Sequence, residues 1–113
     1  MDIKSHEQDG IHIVQLAGRL DAFEVGLVGN WLEQNTDEEN PRIIINLSGV
    51  NFIDSTALAA LVKGMKRCRQ SNGDLYLCCL QQPVLIIFEL TRLDRAFSIF
   101  EHQEDALKAF NGG

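Results

Sequence analysis

Apolar and polar residues follow two different periods along the chain, one typical of strands and the other typical of helices. Short apolar runs predict buried strands, whereas apolar residues spaced three and four apart predict amphipathic helices. The strand predictions cover residues 3–7, 11–17, 42–47, 75–80 and 97–100. The helix predictions cover residues 23–34, a segment from just after Asp54 to residue 70, a short segment starting at Pro83, and residues 101–110.

This order of elements predicts an α/β fold in one domain spanning residues 1–113. Asp9-Gly10 is a turn signal, so the first two strands should form an antiparallel hairpin. Strands separated by helices should pair in parallel through right-handed crossovers. Residues 42–47 are apolar on both faces, which is typical of a central strand. We therefore expect a mixed sheet of four to five strands with an N-terminal hairpin and about four helices.

Two of the predicted helices have distinctive surfaces. The helix after Asp54 has one apolar stripe and one polar face, and the stripe consists of Leu58, Leu61, Val62, Met65 and Cys68. The segment from Pro83 to Phe88 has no polar face in its first turns. It can be a short helix buried between the sheet and its neighbours, or an exposed apolar patch that binds a partner or a second copy of the chain. Both alternatives stay open at this point.

Composition narrows the classes of function. The 113 residues are 45% apolar and 23% charged, with a net charge of −6, which argues against nucleic acid or an anionic membrane as a direct partner. The cysteines are Cys68, Cys78 and Cys79; an odd number with two adjacent suits neither a disulfide framework nor a metal site. Buried thiols in a reducing cytoplasm are expected, and neither a signal segment nor a membrane-spanning run is recognisable.

Ser55 and Thr56 are the most informative pair of side chains. They follow Asp54, where the predicted helix begins, so free N–H groups and the positive end of the helix dipole converge on them. Such a position is suited to carry a phosphate. The competing interpretation is helix capping, because Asp, Ser and Thr all accept hydrogen bonds from the first N–H groups of a helix.

Several signatures of enzymes and cofactor sites are missing from the sequence. Ile53 and Ala57 stand where a G-x-S-x-G nucleophile motif would have glycine, and no histidine is tied by spacing to Ser55. Neither G-x-x-x-x-G-K-[ST] nor G-x-G-x-x-G occurs. We therefore expect no enzymatic activity, no cofactor and no metal, and any nucleotide would belong to a partner.

Four segments together resemble a known family. Residues 18–21 resemble its G-x-L-D turn, residues 44–50 its central strand and following loop, residues 52–58 its F-[IM]-D-S-[ST]-G-L motif, and residues 88–94 its third helix and loop. Their order and spacing over nearly the whole chain resemble a STAS-domain anti-sigma factor antagonist. Ala57 departs from the motif, which usually has glycine there. Its methyl group should be tolerated in a helix but could crowd a partner backbone that approaches closely.

The resemblance implies a protein-interaction switch. Ser55 would be the phosphorylated serine, and the modifying kinase would itself be the anti-sigma factor. The unphosphorylated protein would bind that kinase and displace a sigma factor, the phosphorylated protein would release it, and a serine phosphatase would reset it. By position, the partner-binding surface would comprise Asp21, Asp54, Ser55, Thr56 and Ala57.

Other functions remain open from the sequence. The chain could serve a partner-switching pathway that does not end in a sigma factor, or be the cytosolic domain of an anion transporter. It could also be a small enzyme or ligand carrier that uses Ser55 or a pocket beside it, although no paired base is recognisable. A weak homodimer is a further hypothesis for its assembly.

Overall fold

In a computed structural model, which describes residues 1–112, the chain forms one five-stranded sheet and four helices. In chain order the elements are β1 Asp2–Gln8, β2 Ile11–Leu20, α1 Val25–Asn35, β3 Arg42–Ile53, α2 Ser55–Gln70, β4 Asp74–Cys78, α3 Gln82–Leu90, β5 Ser98–Phe100 and α4 Gln103–Gly112. The strands lie in the sheet in the order β1-β2-β3-β4-β5. β1 and β2 are antiparallel, and the other pairs are parallel. The predicted α/β class, hairpin and helix number are confirmed.

The sheet separates two apolar layers. Alternate residues of β3 point to opposite faces, so Ile43 and Ile45 join one cluster and Ile44 joins the other. α1, α2 and α3 pack on the first face through buried residues such as Leu32, and α4 packs on the second through Ala106. The prediction that this central strand is buried on both faces is confirmed.

Two strands extend further than the sequence pattern indicates. The apolar run of β3 was expected to end near Leu47, but the strand continues to Ile53. β2 likewise continues through Gly18, which has φ +118°, and ends at Leu20. The extensions pair with each other across two register shifts, ending with Leu20 opposite Ile53. The backbone hydrogen bonds of this added ladder outweigh the breaking tendency of glycine in both segments.

α3 is buried on one face only. Val84 and Phe88 are buried beneath it, whereas Ile86 and Leu90 are 41% and 78% exposed. The helix therefore both packs on the sheet and presents an apolar surface. Whether that surface binds a partner or a second copy stays a prediction. Among residues 1–112, no helix combines the length and apolar character needed to cross a bilayer.

Candidate functional site

The candidate site lies where β2 and β3 end side by side. Leu20 and Ile53 are paired residues of neighbouring parallel strands. The next residue of each strand is an aspartate, Asp21 or Asp54, so the two acidic side chains enter the same edge of the sheet about 4.8 Å apart in strand spacing. Each aspartate then leads into a helix, which accounts for their different hydrogen bonds.

Asp54 caps α2. Its backbone is extended, and its Oδ1 accepts a hydrogen bond of 2.9 Å from the backbone N–H of Ala57, which confirms the capping interpretation for this residue. Its other oxygen, Oδ2, accepts a hydrogen bond of 2.9 Å from the backbone N–H of Ala22 in the loop between β2 and α1. Asp54 therefore fastens the start of α2 to the start of α1.

Asp21 organises the β2–α1 loop. Its Oδ1 accepts hydrogen bonds from the N–H groups of Phe23 at 3.0 Å and Glu24 at 3.1 Å. Its backbone carbonyl accepts from Val25 N–H at 2.8 Å, where α1 begins. Arg19 lies 3.7 Å from Asp21 Oδ2 and places its guanidinium 3.9 Å from the ring centroid of Phe52. The cation–π contact thus also links the end of β2 to the end of β3, whereas the ion pair lies within the end of β2.

Ser55 and Thr56 are exposed at the first turn of α2. The first N–H groups of a helix have no acceptor within the helix. In α2, the side chain of Asp54 accepts the hydrogen bond of the Ala57 N–H. The N–H groups of Ser55 and Thr56 have no side-chain acceptor among residues 1–112, and they point out of the helix where its dipole is positive. The first turn of α2 also contains no acidic side chain. This end of the helix can therefore accommodate added negative charge.

Ala57 is placed differently from expectation. It is fully buried, at 0% exposure, and belongs to the main core cluster. The expectation that its methyl group would crowd a partner is therefore corrected, because the side chain faces the sheet. A signal for this existed in the sequence, since Ala57 lies four residues before Leu61 and extends the apolar stripe of α2 by one turn.

One exposed side chain at this site was missed by the sequence analysis. Phe23 is 95% exposed, although the apolar pattern had placed it at the start of the α1 helix. Leu27, one turn further along, is 52% exposed. We refer to the exposed or partly exposed residues at this edge as the helix-entry surface, which comprises Asp21, Phe23, Asp54, Ser55 and Thr56.

The histidines lie away from Ser55. His12 is at the start of β2, where it pairs with Ile43, and its Nε2 lies 2.9 Å from Oε1 of Glu38. The helix-entry surface begins just after the other end of β2. At about 3.3 Å per residue, His12 therefore lies about 25 Å from this surface. His6 pairs with Ile13 at that distant end, and His102 precedes α4 on the opposite face. No histidine is therefore positioned to activate Ser55 as a nucleophile.

Neither a metal site nor a reactive thiol is found at the helix-entry surface among residues 1–112. Among residues 1–112, no group of three or more His, Cys, Asp or Glu side chains could hold a metal ion. The three cysteines are free thiols, and Cys68 and Cys78 are buried. Burial raises the pKa of Cys68 to about 12, and it raises the pKa of Cys78 as well. Both thiols therefore remain protonated and act as small core residues.

Comparison with known proteins decides the family. The family model of the STAS domain matches residues 2–106. The chain belongs to the STAS domain family. Its sequence is similar to the anti-sigma-B factor antagonist of Staphylococcus aureus, with 27% identity over 104 residues that cover 92% of this chain and 96% of the relative.

Solved structures of anti-sigma factor antagonists share the fold over almost the whole chain. A putative anti-sigma factor antagonist from Thermotoga maritima superposes with a TM-score of 0.89 at 24% identity, covering 95% of this chain and 92% of the other. The antagonist SpoIIAA in its unphosphorylated form gives a TM-score of 0.83 at 17% identity, covering 99% and 98%. The structure of SpoIIAA from Bacillus has also been solved in the phosphorylated form, with a TM-score of 0.74 at 16% identity.

Proposed function

We propose that this STAS domain is an anti-sigma factor antagonist whose binding to an anti-sigma factor is switched by phosphorylation of Ser55. The observation that carries the proposal is the exposed hydroxyl of Ser55 at the first turn of α2, directly after the capping Asp54. The similarity to named antagonists over more than nine tenths of the chain supports the same function.

Phosphoryl transfer at this position needs a separate kinase. Ser55 Oγ would attack the γ-phosphorus of ATP, forming a P–O bond while the bond to the β-phosphate oxygen breaks and ADP leaves. The serine proton requires a base. Both carboxylate oxygens of Asp54 already accept backbone hydrogen bonds, so the base is expected from the kinase. The phosphatase would reverse the modification by directing water at the same phosphorus.

Local electrostatics would account for release of the anti-sigma factor when Ser55 is phosphorylated. A phosphate at Ser55 brings about −1.5 to −2 charges at pH 7, beside the carboxylate of Asp54. The N–H groups at the start of α2 can stabilise that charge in the free protein. In a complex, both negative groups would have to lose water against the partner, which disfavours binding. No rearrangement of the sheet is required for this effect.

The proposal is tested with purified anti-sigma-type serine kinases from the source organism and ATP. Intact-mass spectrometry should find one added phosphoryl group on the wild type and on Thr56→Ala, and none on Ser55→Ala. In binding assays without ATP, Ser55→Ala should retain the kinase and Ser55→Asp should lose it. Equal binding of Ser55→Asp and wild type would contradict the switch.

A second candidate within the same class is a STAS module of a pathway that does not end in a sigma factor. The protein that the unphosphorylated chain displaces from its kinase distinguishes the two candidates, because only the first requires a sigma factor. For either candidate we infer a non-enzymatic protein of the cytoplasm. The three free thiols agree with a reducing compartment.

A further inference from the structure

Exposed large apolar side chains occur at two places among residues 1–112. Ile86 and Leu90 lie on α3, and Phe23 and Leu27 lie at the start of α1. Phe23 is the most exposed of the four, at 95%, so its ring makes almost no contribution to the core. Isolated exposed apolar residues are common and need no explanation. The surroundings of Phe23 distinguish it from such a residue.

The backbone around Phe23 is fixed on both sides. Its own N–H and that of Glu24 both bond Oδ1 of Asp21, and the N–H of the preceding Ala22 bonds Oδ2 of Asp54. The ring therefore projects into solvent from an ordered turn. The backbone of a residue held in this way loses little conformational entropy when a partner buries its side chain, which favours the role of an interface anchor.

The same hydrogen bonds bring the loop that carries Phe23 next to the helix start that carries Ser55. Ala22 precedes Phe23, and Asp54, to which Ala22 is bonded, precedes Ser55. A protein that covers Ser55 closely enough to be repelled by a phosphate there would therefore also reach Phe23. Because of this continuity, the protein that contacts Phe23 should be the same partner that responds to phosphorylation of Ser55.

We propose that Phe23 is the apolar anchor through which the anti-sigma factor holds the unphosphorylated protein, inserted in an apolar pocket with a basic rim. The inference rests on the function proposed above. The basic rim follows from charge. Asp21 has Arg19 within 3.7 Å, whereas Asp54 has no cation within 4.0 Å among residues 1–112. One carboxylate beside the ring is therefore left for the partner to neutralise.

The experiment measures binding of the full-length chain to the same purified anti-sigma-type kinases, by biolayer interferometry without ATP. Phe23→Ala should weaken binding about 30-fold or more, mainly through faster dissociation. Phe23→Leu keeps an apolar side chain and should retain most of the affinity. Leu90→Ala is the matched control, because Leu90 is 78% exposed on α3. It should change the affinity less than threefold.

The outcomes separate this inference from the function on which it rests. Loss of binding in Ser55→Asp with unchanged binding in Phe23→Ala would leave the switch standing and overturn the anchor. Loss in Phe23→Ala with unchanged binding in Ser55→Asp would support the anchor and overturn the switch. If no kinase binds the wild type, both fail. Circular dichroism should find the same thermal unfolding for Phe23→Ala and wild type, since the ring is outside the core.

Discussion

The backbone N–H of Ala22 donates a hydrogen bond of 2.9 Å to Oδ2 of Asp54, which lies 32 positions later in the chain. The other oxygen of the same carboxylate caps α2 through Ala57. A single side chain therefore holds the β2–α1 loop against the helix that carries Ser55. Its removal should affect stability and the local geometry of the helix-entry surface together.

Asp54→Ala should lower the free energy of unfolding by about 1–3 kcal/mol, because it removes a helix cap and a second backbone acceptor. Asp54→Asn should cost less, since one acceptor oxygen remains. Asp37→Ala is the control, because Asp37 is exposed and makes no hydrogen bond or ion pair among residues 1–112. Equilibrium urea denaturation measures all three variants. A loss below about 0.5 kcal/mol for Asp54→Ala would show that neither bond matters to stability.

Phosphorylation of Ser55 should change the structure only locally, because free N–H groups at the start of α2 can receive the phosphate. In heteronuclear NMR spectra, the amide signals of residues 21–25 and 54–58 should move. Those of β4 and α4 should remain in place. Large shifts throughout the distant elements would instead indicate that a conformational change, and not local charge, drives release.

Gly73→Ala should destabilise the fold by about 3 kcal/mol or more, because overpacking against backbone is poorly relieved. A Cβ built at Gly73 would lie 1.9 Å from the carbonyl oxygen of Pro41, whose position is held by a 2.9 Å bond from Asp74 N–H. Gly29→Ala is the matched control. Its Cβ would meet nothing within 4 Å, so this change inside α1 should stabilise by about 0.5–1 kcal/mol. Thermal and urea unfolding compare the two, and similar effects of both changes would refute the close approach at Gly73.

The buried thiols should make the fold sensitive to alkali. Burial, with a smaller contribution from Asp74, raises the pKa of Cys68 from 9.0 to about 12 in the folded state. Because the folded pKa lies above the unfolded one, this stabilisation is complete below about pH 9 and is lost as the pH rises towards 12. Above pH 9 the unfolding free energy should fall by about 1.4 kcal/mol per pH unit for this thiol.

Cys68→Ala tests the alkaline effect. Its unfolding free energy should fall less steeply with pH than that of the wild type, whatever its absolute stability at neutral pH. The slopes from urea denaturation at several values between about pH 8 and 11 provide the comparison. Identical slopes would mean that Cys68 does not titrate differently in the folded and unfolded states.

Much of the fold could be predicted because local patterns and tertiary packing agree. The stripe of α2 and the two-sided apolar run of β3 reflect their burial directly. The extension of β3 beyond Leu47 could not be predicted, because Ser48 and Gly49 resemble a loop. Glycine is needed at position 49 because the neighbouring strand leaves no room for a side chain: a Cβ there would lie 2.8 Å from the Cβ of Ala17. Such interstrand proximity is invisible in a one-dimensional pattern.

The site was predicted where it depends on helix ends and missed where it depends on tertiary placement. A polar triplet after an apolar strand indicates a capped helix start, so Asp54 and Ser55 could be placed from sequence. Phe23 resembles the first core residue of α1, and only the loop bonds to Asp21 and Asp54 direct it outwards. Ala57 was assigned to the partner surface through resemblance, although helical periodicity turns it inwards.

The strand order has a consequence for how the molecule is made. Every strand of the sheet is hydrogen-bonded to the one that precedes it in the chain, from β1 to β5. On the ribosome, each emerging strand therefore finds its partner already synthesised, and the sheet can grow in the direction of translation. Residues 20–57 contain the whole helix-entry surface, so all of it has been synthesised before β4 is translated. The helix-entry surface therefore depends for its strand pairing only on segments that precede β4 in the chain.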